Sequence, residues 1–306
     1  MAAFVLFFVS VIVFIAVRLC PGDPVASKIG PYGDYSQENY SRIAAEMGLD
    51  KSYVTQYFRW VRDFVRLDFG ISLVGGDNIF AAIRTKIPAS LELIFFSLLL
   101  AIVISVPLGV ISAIKSGSVF DQIIRVISTG FLAIPSFCFG LLLIIVVCVQ
   151  LKWLPSNGYV PFGEDPVRNL RYLILPALTL GIVEQAPLTR YIRSEMLEIV
   201  NSNYIRTAKA KGLPSGKVFY IHAFKNVLVT VITLIGMRIG QLVGGTVVVE
   251  QLFGWSGLGW YLYSSISNRD YPAIQATVML IAVVLVVINM VIDILYAAID
   301  PRIELE

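Results

Sequence analysis

The chain has 306 residues, 57% of them hydrophobic and only 15% charged, with a mean hydropathy of +0.78. That is far from the roughly half-apolar, quarter-charged mix of a soluble domain and marks an integral membrane protein. A formal net charge of +3 is too small to imply a nucleic-acid partner, so the placement of the basic residues carries the information.

A bilayer core of about 30 Å takes roughly 20 apolar residues of helix. Six stretches qualify: 2–18, 92–114, 123–149, 172–190, 229–249 and 274–298. The first ends at Cys20 in "CPGDP" rather than in a small-residue cleavage site, and reads as a retained span. Between the first two spans, residues 19–91 carry the signals of a helical segment. A helix is predicted from Ser36 to Met47, stopped by Gly48. The next is capped by Asp50, with Val54, Phe58, Val61 and Val65 forming one apolar stripe, and a third follows Asp77 and ends before Pro88. The segment reads either as a cap packed on the membrane helices or as a docking surface for an external partner. Cys20, Cys138 and Cys148 show no C-x-x-C spacing, so no disulfide framework or metal cluster is implied.

Orientation follows from Lys and Arg in short loops. Residues 190–228 hold Arg190, Arg193, Arg206, Lys209, Lys211, Lys217 and Lys225 against Glu195 and Glu198, whereas the basic residue of 250–273 is Arg269 alone. The first of these loops is therefore expected in the cytoplasm. Six spans then place both termini there, with 19–91 and 150–171 outside.

The loop contains "YIRTAKAKGLPSGKVFYIHAFKNVL", Tyr204 to Leu228. Asn201, Ser202 and Asn203 supply caps, Gly212 a left-handed stop, and Pro214 a block to continuation. A second helix starts near Ser215 and runs through His222 and Asn226 into the fifth span. A basic helix lying at lipid headgroups is one reading. Against it, Ala208, Ala210 and Gly212 are small, where an interfacial anchor would carry Trp, Phe or Leu; small residues suit close packing against another protein. "GLPSGKV" is not a phosphate loop, because three residues separate the glycines and Val218 follows the Lys. Gly254-Trp255-Ser256-Gly257 spells the G-x-S-G of intramembrane serine proteases. Its one possible base, His222, is a helix of roughly 30 Å away, against the about 3 Å that proton transfer needs.

Within the spans, Glu184 and Arg238 fall at depths that differ by about 5 Å, so they either pair or leave Arg238 to line a water-filled pathway. Gln241, Asn289 and Asp293 are further intramembrane polar candidates. Gly236, Gly240 and Gly244 recur every four residues, a small-residue face for intrachain packing or for a seam with a partner.

The basic loop resembles the EAA-type cytoplasmic loop of bacterial ABC importer permeases, in the dipeptide/oligopeptide/nickel branch. Tyr204, Arg206, Thr207, Ala208, Ala210, Lys211, Gly212, Leu213, His222 and Asn226 stand at its characteristic positions. "GDP" (Gly22 to Pro24), "MGLD" (Met47 to Asp50), "LDFGISL" (Leu67 to Leu73), "GGTVVVEQLFGWSGLG" (Gly244 to Gly259), "NRDYP" (Asn268 to Pro272) and "DPR" (Asp300 to Arg302) are similar to the first-subunit type of that branch. Two departures are visible: no basic residues precede the first span, and Ser256 stands where the family usually has Pro.

The resemblance implies an all-α integral membrane protein with six transmembrane helices, an extracytoplasmic helical insertion between spans 1 and 2, and a cytoplasmic coupling-helix loop between spans 4 and 5. Its organisation would be a first transmembrane helix at 1–18, the extracytoplasmic segment at 19–91, and a five-helix permease core at 92–306 that includes the coupling loop 191–228. It implies a non-catalytic subunit of the bacterial inner membrane that imports di- or oligopeptides, or alternatively a nickel chelate. The partners would be a second homologous permease, two ATPase subunits carrying ATP and Mg, an extracytoplasmic binding protein and membrane lipid, with no cofactor, metal or nucleic acid held by this chain. Coupling would rest on Tyr204, Ile205, Arg206, Thr207, Ala208, Lys209, Ala210, Lys211, Gly212 and Leu213, with Tyr204 and Ile205 filling a cleft on an ATPase.

Overall fold

The computed structural model describes residues 2–19, 22–30, 32–200, 202, 205 and 224–299. These are helical almost throughout, and the chain divides into two compact units, 1–90 with 256–287 and 91–255 with 288–306.

The first unit begins with α1 (Ala2–Leu19), α2 (Pro24–Ile29), α3 (Gln37–Glu46) and α4 (Tyr53–Val65). The Asp23 carboxylate accepts from the Val25 N–H to start α2, and Ser36 Oγ accepts from Asn39 N–H to start α3. Such side-chain oxygens satisfy amides that the first turn leaves free. Gly48, just past α3, takes a φ of 70°, the left-handed conformation that glycine tolerates best. The cap of α4 is Ser52, which accepts from Thr55 N–H, and not Asp50, which pairs with Lys51 at 2.8 Å.

The face that α4 presents to its neighbours also differs from expectation. Val54, Phe58 and Val65 are exposed, and the helix meets α1 through aromatic residues. Tyr57 Oη lies 2.7 Å from Ser10 Oγ, the Tyr57 ring stands edge-on to Phe14, and Arg18 donates to Gln56 at 2.7 Å. Tyr57, Trp60 and Phe64 also recur at helical spacing, and their larger rings cover more of α1 and Phe69 than the valine stripe could. The core of this unit joins Phe69, Ile79, Ile83, Leu258, Ala273 and Ala276.

Helix α5 runs from Ile79 to Ile114, straight through Pro88, where the sequence predicts an end. Proline forfeits one backbone bond, and the long apolar run beyond it keeps the rest of the ladder shielded. The boundary between units falls within this helix, between Ser90 and Leu91.

In the second unit, α6 (Val119–Ala133) and α7 (Ser136–Leu143), which continues as a π-helical stretch Ile144–Gln150, meet at a bend of 101°. The single expected span 123–149 is therefore broken. Ile134, just before Pro135, is extended, as the residue preceding proline prefers to be. Helix α8 (Pro166–Val200) contains Pro176 and Pro187, and α9 (Phe224–Phe253) covers the expected fifth span. After α9 come α10 (Leu258–Ser267) and α11 (Tyr271–Ile299). Among the described residues, Ala2–Leu19, Ile79–Ile114, Pro166–Val200 and Tyr271–Ile292 are long and apolar enough to cross a membrane, and the bent pair would make a fifth.

Close approach of α5 to α8 rests on two glycines. A Cβ at Gly109 would stand 2.7 Å from Ile192 Cγ2 and 3.0 Å from the Thr189 carbonyl oxygen, and one at Gly181 would stand 2.9 Å from the Ser97 carbonyl oxygen. Both lie where α5 meets α8. Gly236 is buried, but no described heavy atom lies within 4 Å of a Cβ built at Gly240 or Gly244.

Candidate functional site

Two polar centres are described within the second unit. One brings together Glu184 of α8 with Arg238 and the exposed Gln241 of α9. Arg238 Nη1 lies 3.9 Å from Glu184 Oε2, both side chains less than one-fifth exposed, and the same nitrogen donates to Gln241 Oε1. Glu184 Oε2 is buried without a hydrogen-bond partner among the described residues. Arg238 thus gives its hydrogen bond to a neutral amide and only its charge to the carboxylate. Pro187 sits one turn on from Glu184 in α8 and has no N–H for the Val183 carbonyl. A helix with a freed carbonyl beside a loosely held ion pair is suited to face a polar pathway. Of the other intramembrane candidates, Asn289 is exposed and the side chain of Asp293 lies outside the described part of the chain.

The second centre is the base of the basic loop. Asp121, fully buried near the start of α6, accepts from Arg193 Nε at 2.7 Å and Nη2 at 2.8 Å. It also accepts from Ser112 Oγ and from Gly117 N–H at 2.9 Å, with Arg125 at 3.8 Å. A carboxylate held by a two-pronged guanidinium and two further donors fixes the turn between α5 and α6 onto α8. The sequence reading missed this network. Its one local signal was Ser118, three residues before Asp121, whose Oγ accepts from the Asp121 N–H to cap α6.

Beside the network lies an apolar cluster of Val110, Ala113, Ile192, Met196, Ile205 and Val231. Ile205 is the one expected coupling residue that is described, and its side chain is fully buried here. This corrects the expectation that it fills a partner's cleft: the chain's own α5, α8 and α9 take it up. Tyr204, Arg206, Thr207, Ala208, Lys209, Ala210, Lys211, Gly212 and Leu213 lie outside the described residues, as does His222.

The G-x-S-G stretch is a turn. Gly254 ends α9 at a φ of 56°, and a Cβ there would stand 2.4 Å from the Asn157 side-chain oxygen, so the position suits glycine on both grounds. Trp255 is fully buried, edge-on to Tyr159. Ser256 Oγ accepts from Lys86 Nζ at 2.6 Å. No group of three or more metal-ligating side chains occurs among the described residues.

Residues 105–305 match the family model described as "Binding-protein-dependent transport system inner membrane component", and residues 1–94 match its N-terminal companion. The chain belongs to this family. It is 40% identical, over 97% of its length and 94% of the relative's, to the oligopeptide transport system permease protein AppB of Bacillus subtilis. It is 35% identical to a di/tripeptide transport system permease of Pseudomonas aeruginosa and 34% identical to the dipeptide transport system permease of Escherichia coli K12, each over 97% of this chain and 94% of the relative. Family and apolar helices together make it a multi-pass protein of the inner membrane. The relatives are transport permeases, and the comparisons favour neither the nickel-chelate nor the serine-protease alternative.

Proposed function

We propose that this chain is the permease subunit of an ATP-driven importer of di- or oligopeptides, forming half of the translocation pathway. The observation that carries the reading is near-full-length similarity to permeases whose names specify oligopeptides, di/tripeptides and dipeptides. In this reading α9 and the bent α6–α7 pair complete six spans, both termini and the 191–228 loop lie in the cytoplasm, and residues 19–91 lie outside. The chain binds no cofactor. It works with a homologous permease, two ATPases that hydrolyse Mg-ATP, and an extracytoplasmic binding protein.

Such a subunit receives its power stroke mechanically, as a rigid-body change between two states. The Tyr204 to Leu213 stretch seats on an ATPase, and Ile205, held among α5, α8 and α9, ties that stretch to the membrane helices. Glu184, Arg238 and Gln241 line the pathway. Gly212→Asp is expected to abolish peptide uptake and the ATPase stimulation produced by loaded binding protein, while the permease still inserts and the ATPases keep their basal rate. Normal uptake by this variant in proteoliposomes would leave the loop as a membrane-surface anchor and remove the coupling role.

A further inference from the structure

A cavity of 550 Å³ opens between α6 and α8, lined by Arg125, Arg190 and Arg193 together with Gln122, Ser128 and Thr129. Its walls also include the aliphatic side chains of Ile124 and Val126. No carboxylate is among its described lining residues. The acid nearest the lining cations, Asp121, is fully buried and already accepts both prongs of Arg193. Arg190 is exposed and forms no ion pair among the described residues, and Arg125 approaches a carboxylate no closer than 3.8 Å. Three guanidinium groups thus share the single Asp121 carboxylate, which leaves a surplus of two positive charges at the cavity among the described residues.

Their depth narrows the ligand. Arg125 lies two turns into α6, past the Lys115–Ser118 turn, and Arg190 closes the apolar run of α8 expected to span the bilayer. With the spans placed as proposed above, both positions fall where hydrocarbon gives way to headgroups. An anion arriving there with an apolar tail meets guanidinium donors together with the aliphatic side chains of Ile124 and Val126. The volume lies in the lower part of the roughly 300–1,000 Å³ typical of small-ligand sites, room for a headgroup but not for a whole lipid. Basic pockets between membrane helices are suited to phospholipid phosphates, and the planar, multi-donor guanidinium matches phosphate oxygens better than an ammonium would.

We propose that this cavity binds the phosphodiester of an anionic phospholipid, bridged by Arg125 and Arg190. The bound headgroup clamps α6 to α8 beside the Asp121–Arg193 link and so tunes transmission from the basic loop. The inference rests on the membrane placement given under Proposed function.

The test uses the assembled transporter in nanodiscs of phosphatidylcholine alone or with phosphatidylglycerol, comparing wild type with Arg125→Gln/Arg190→Gln. Both residues are exposed, and Arg193 is left in place to hold Asp121. Native mass spectrometry is expected to show phosphatidylglycerol retained by wild type and at least tenfold less by the double variant. Peptide-stimulated ATPase activity is expected to rise several-fold with phosphatidylglycerol in wild type and to be indifferent to it in the variant. Equal retention by the two proteins would overturn the proposal. So would displacement of the lipid by millimolar inorganic phosphate or ATP, which would mark a soluble-phosphate site. Cross-linking of a cysteine at 190 to the second permease without lipid retention would overturn it too, by marking a subunit seam. Peptide uptake is measured in the same preparations, so wild type that transports without retaining the lipid refutes this inference alone, whereas wild type that fails to transport refutes the functional reading.

Discussion

Two ion pairs of the second unit, Asp121 with Arg193 and the partly buried Glu184 with Arg238, are built on opposite terms. Asp121 meets Arg193 through two hydrogen bonds near 2.7 Å and takes further bonds from Ser112 and Gly117. Glu184 and Arg238 stand 3.9 Å apart, with the arginine's hydrogen bond given to Gln241 and a carboxylate oxygen left without one. Desolvating a charge is costly unless geometry and hydrogen bonds compensate. The first pair meets that condition and reads as a fastening for the loop's base. The second meets it only in part. The lesson is that completeness of hydrogen bonding, more than burial, separates the fixed charge from the poised one.

The strongest way to break this contrast is Asp121→Asn. Removing one partner of a fully satisfied buried pair is expected to cost about 3–5 kcal/mol, because Arg193 keeps its charge without compensation. Thermal unfolding of the purified complex, followed by fluorescence-detected size exclusion, measures it; an unshifted melting curve would show that the fastening is not needed.

Gly109→Val tests the packing beneath the same pair. The new side chain collides with Ile192 and the Thr189 carbonyl, and overpacking of this kind costs about 1–3 kcal/mol. Gly244→Val, with open space around it, is expected to stay within about 0.5 kcal/mol in the isolated chain. Equal destabilisation by the two would contradict the assignment of close approach to α5 and α8. A Gly244→Val protein that is stable alone but fails to assemble with the second permease would place the subunit seam there.

The smallest stability effect is expected at the poised pair. A double-mutant cycle on Glu184→Gln and Arg238→Gln should give a coupling of about 1 kcal/mol or less, at the low end for groups in contact, together with a larger loss of uptake than of stability. Strict additivity in both readouts would show that the two side chains do not interact, and a coupling as large as that of the fastened pair would erase the distinction.

The sequence by itself determined the class and the outline of this protein. Continuous apolar runs can be read without knowing what they touch, and local chemistry at Ser36 and Gly48 marked the limits of α3, because caps and stops act over a few residues. The order and spacing of its motifs identified the family. The meeting of Glu184 with Arg238 was also within reach, since helix rise converts sequence position into depth. Tertiary structure alone decided which glycines admit a neighbouring helix, which face of α4 is covered, and that Ile205 turns inward. It alone joined Asp121 to Arg193, 72 positions apart. The physical reason lies in the solvent. In an apolar surrounding, residues that face lipid and residues that face a neighbouring helix look alike, so periodicity loses its power to name the packed face and only the helices' actual approach can supply it.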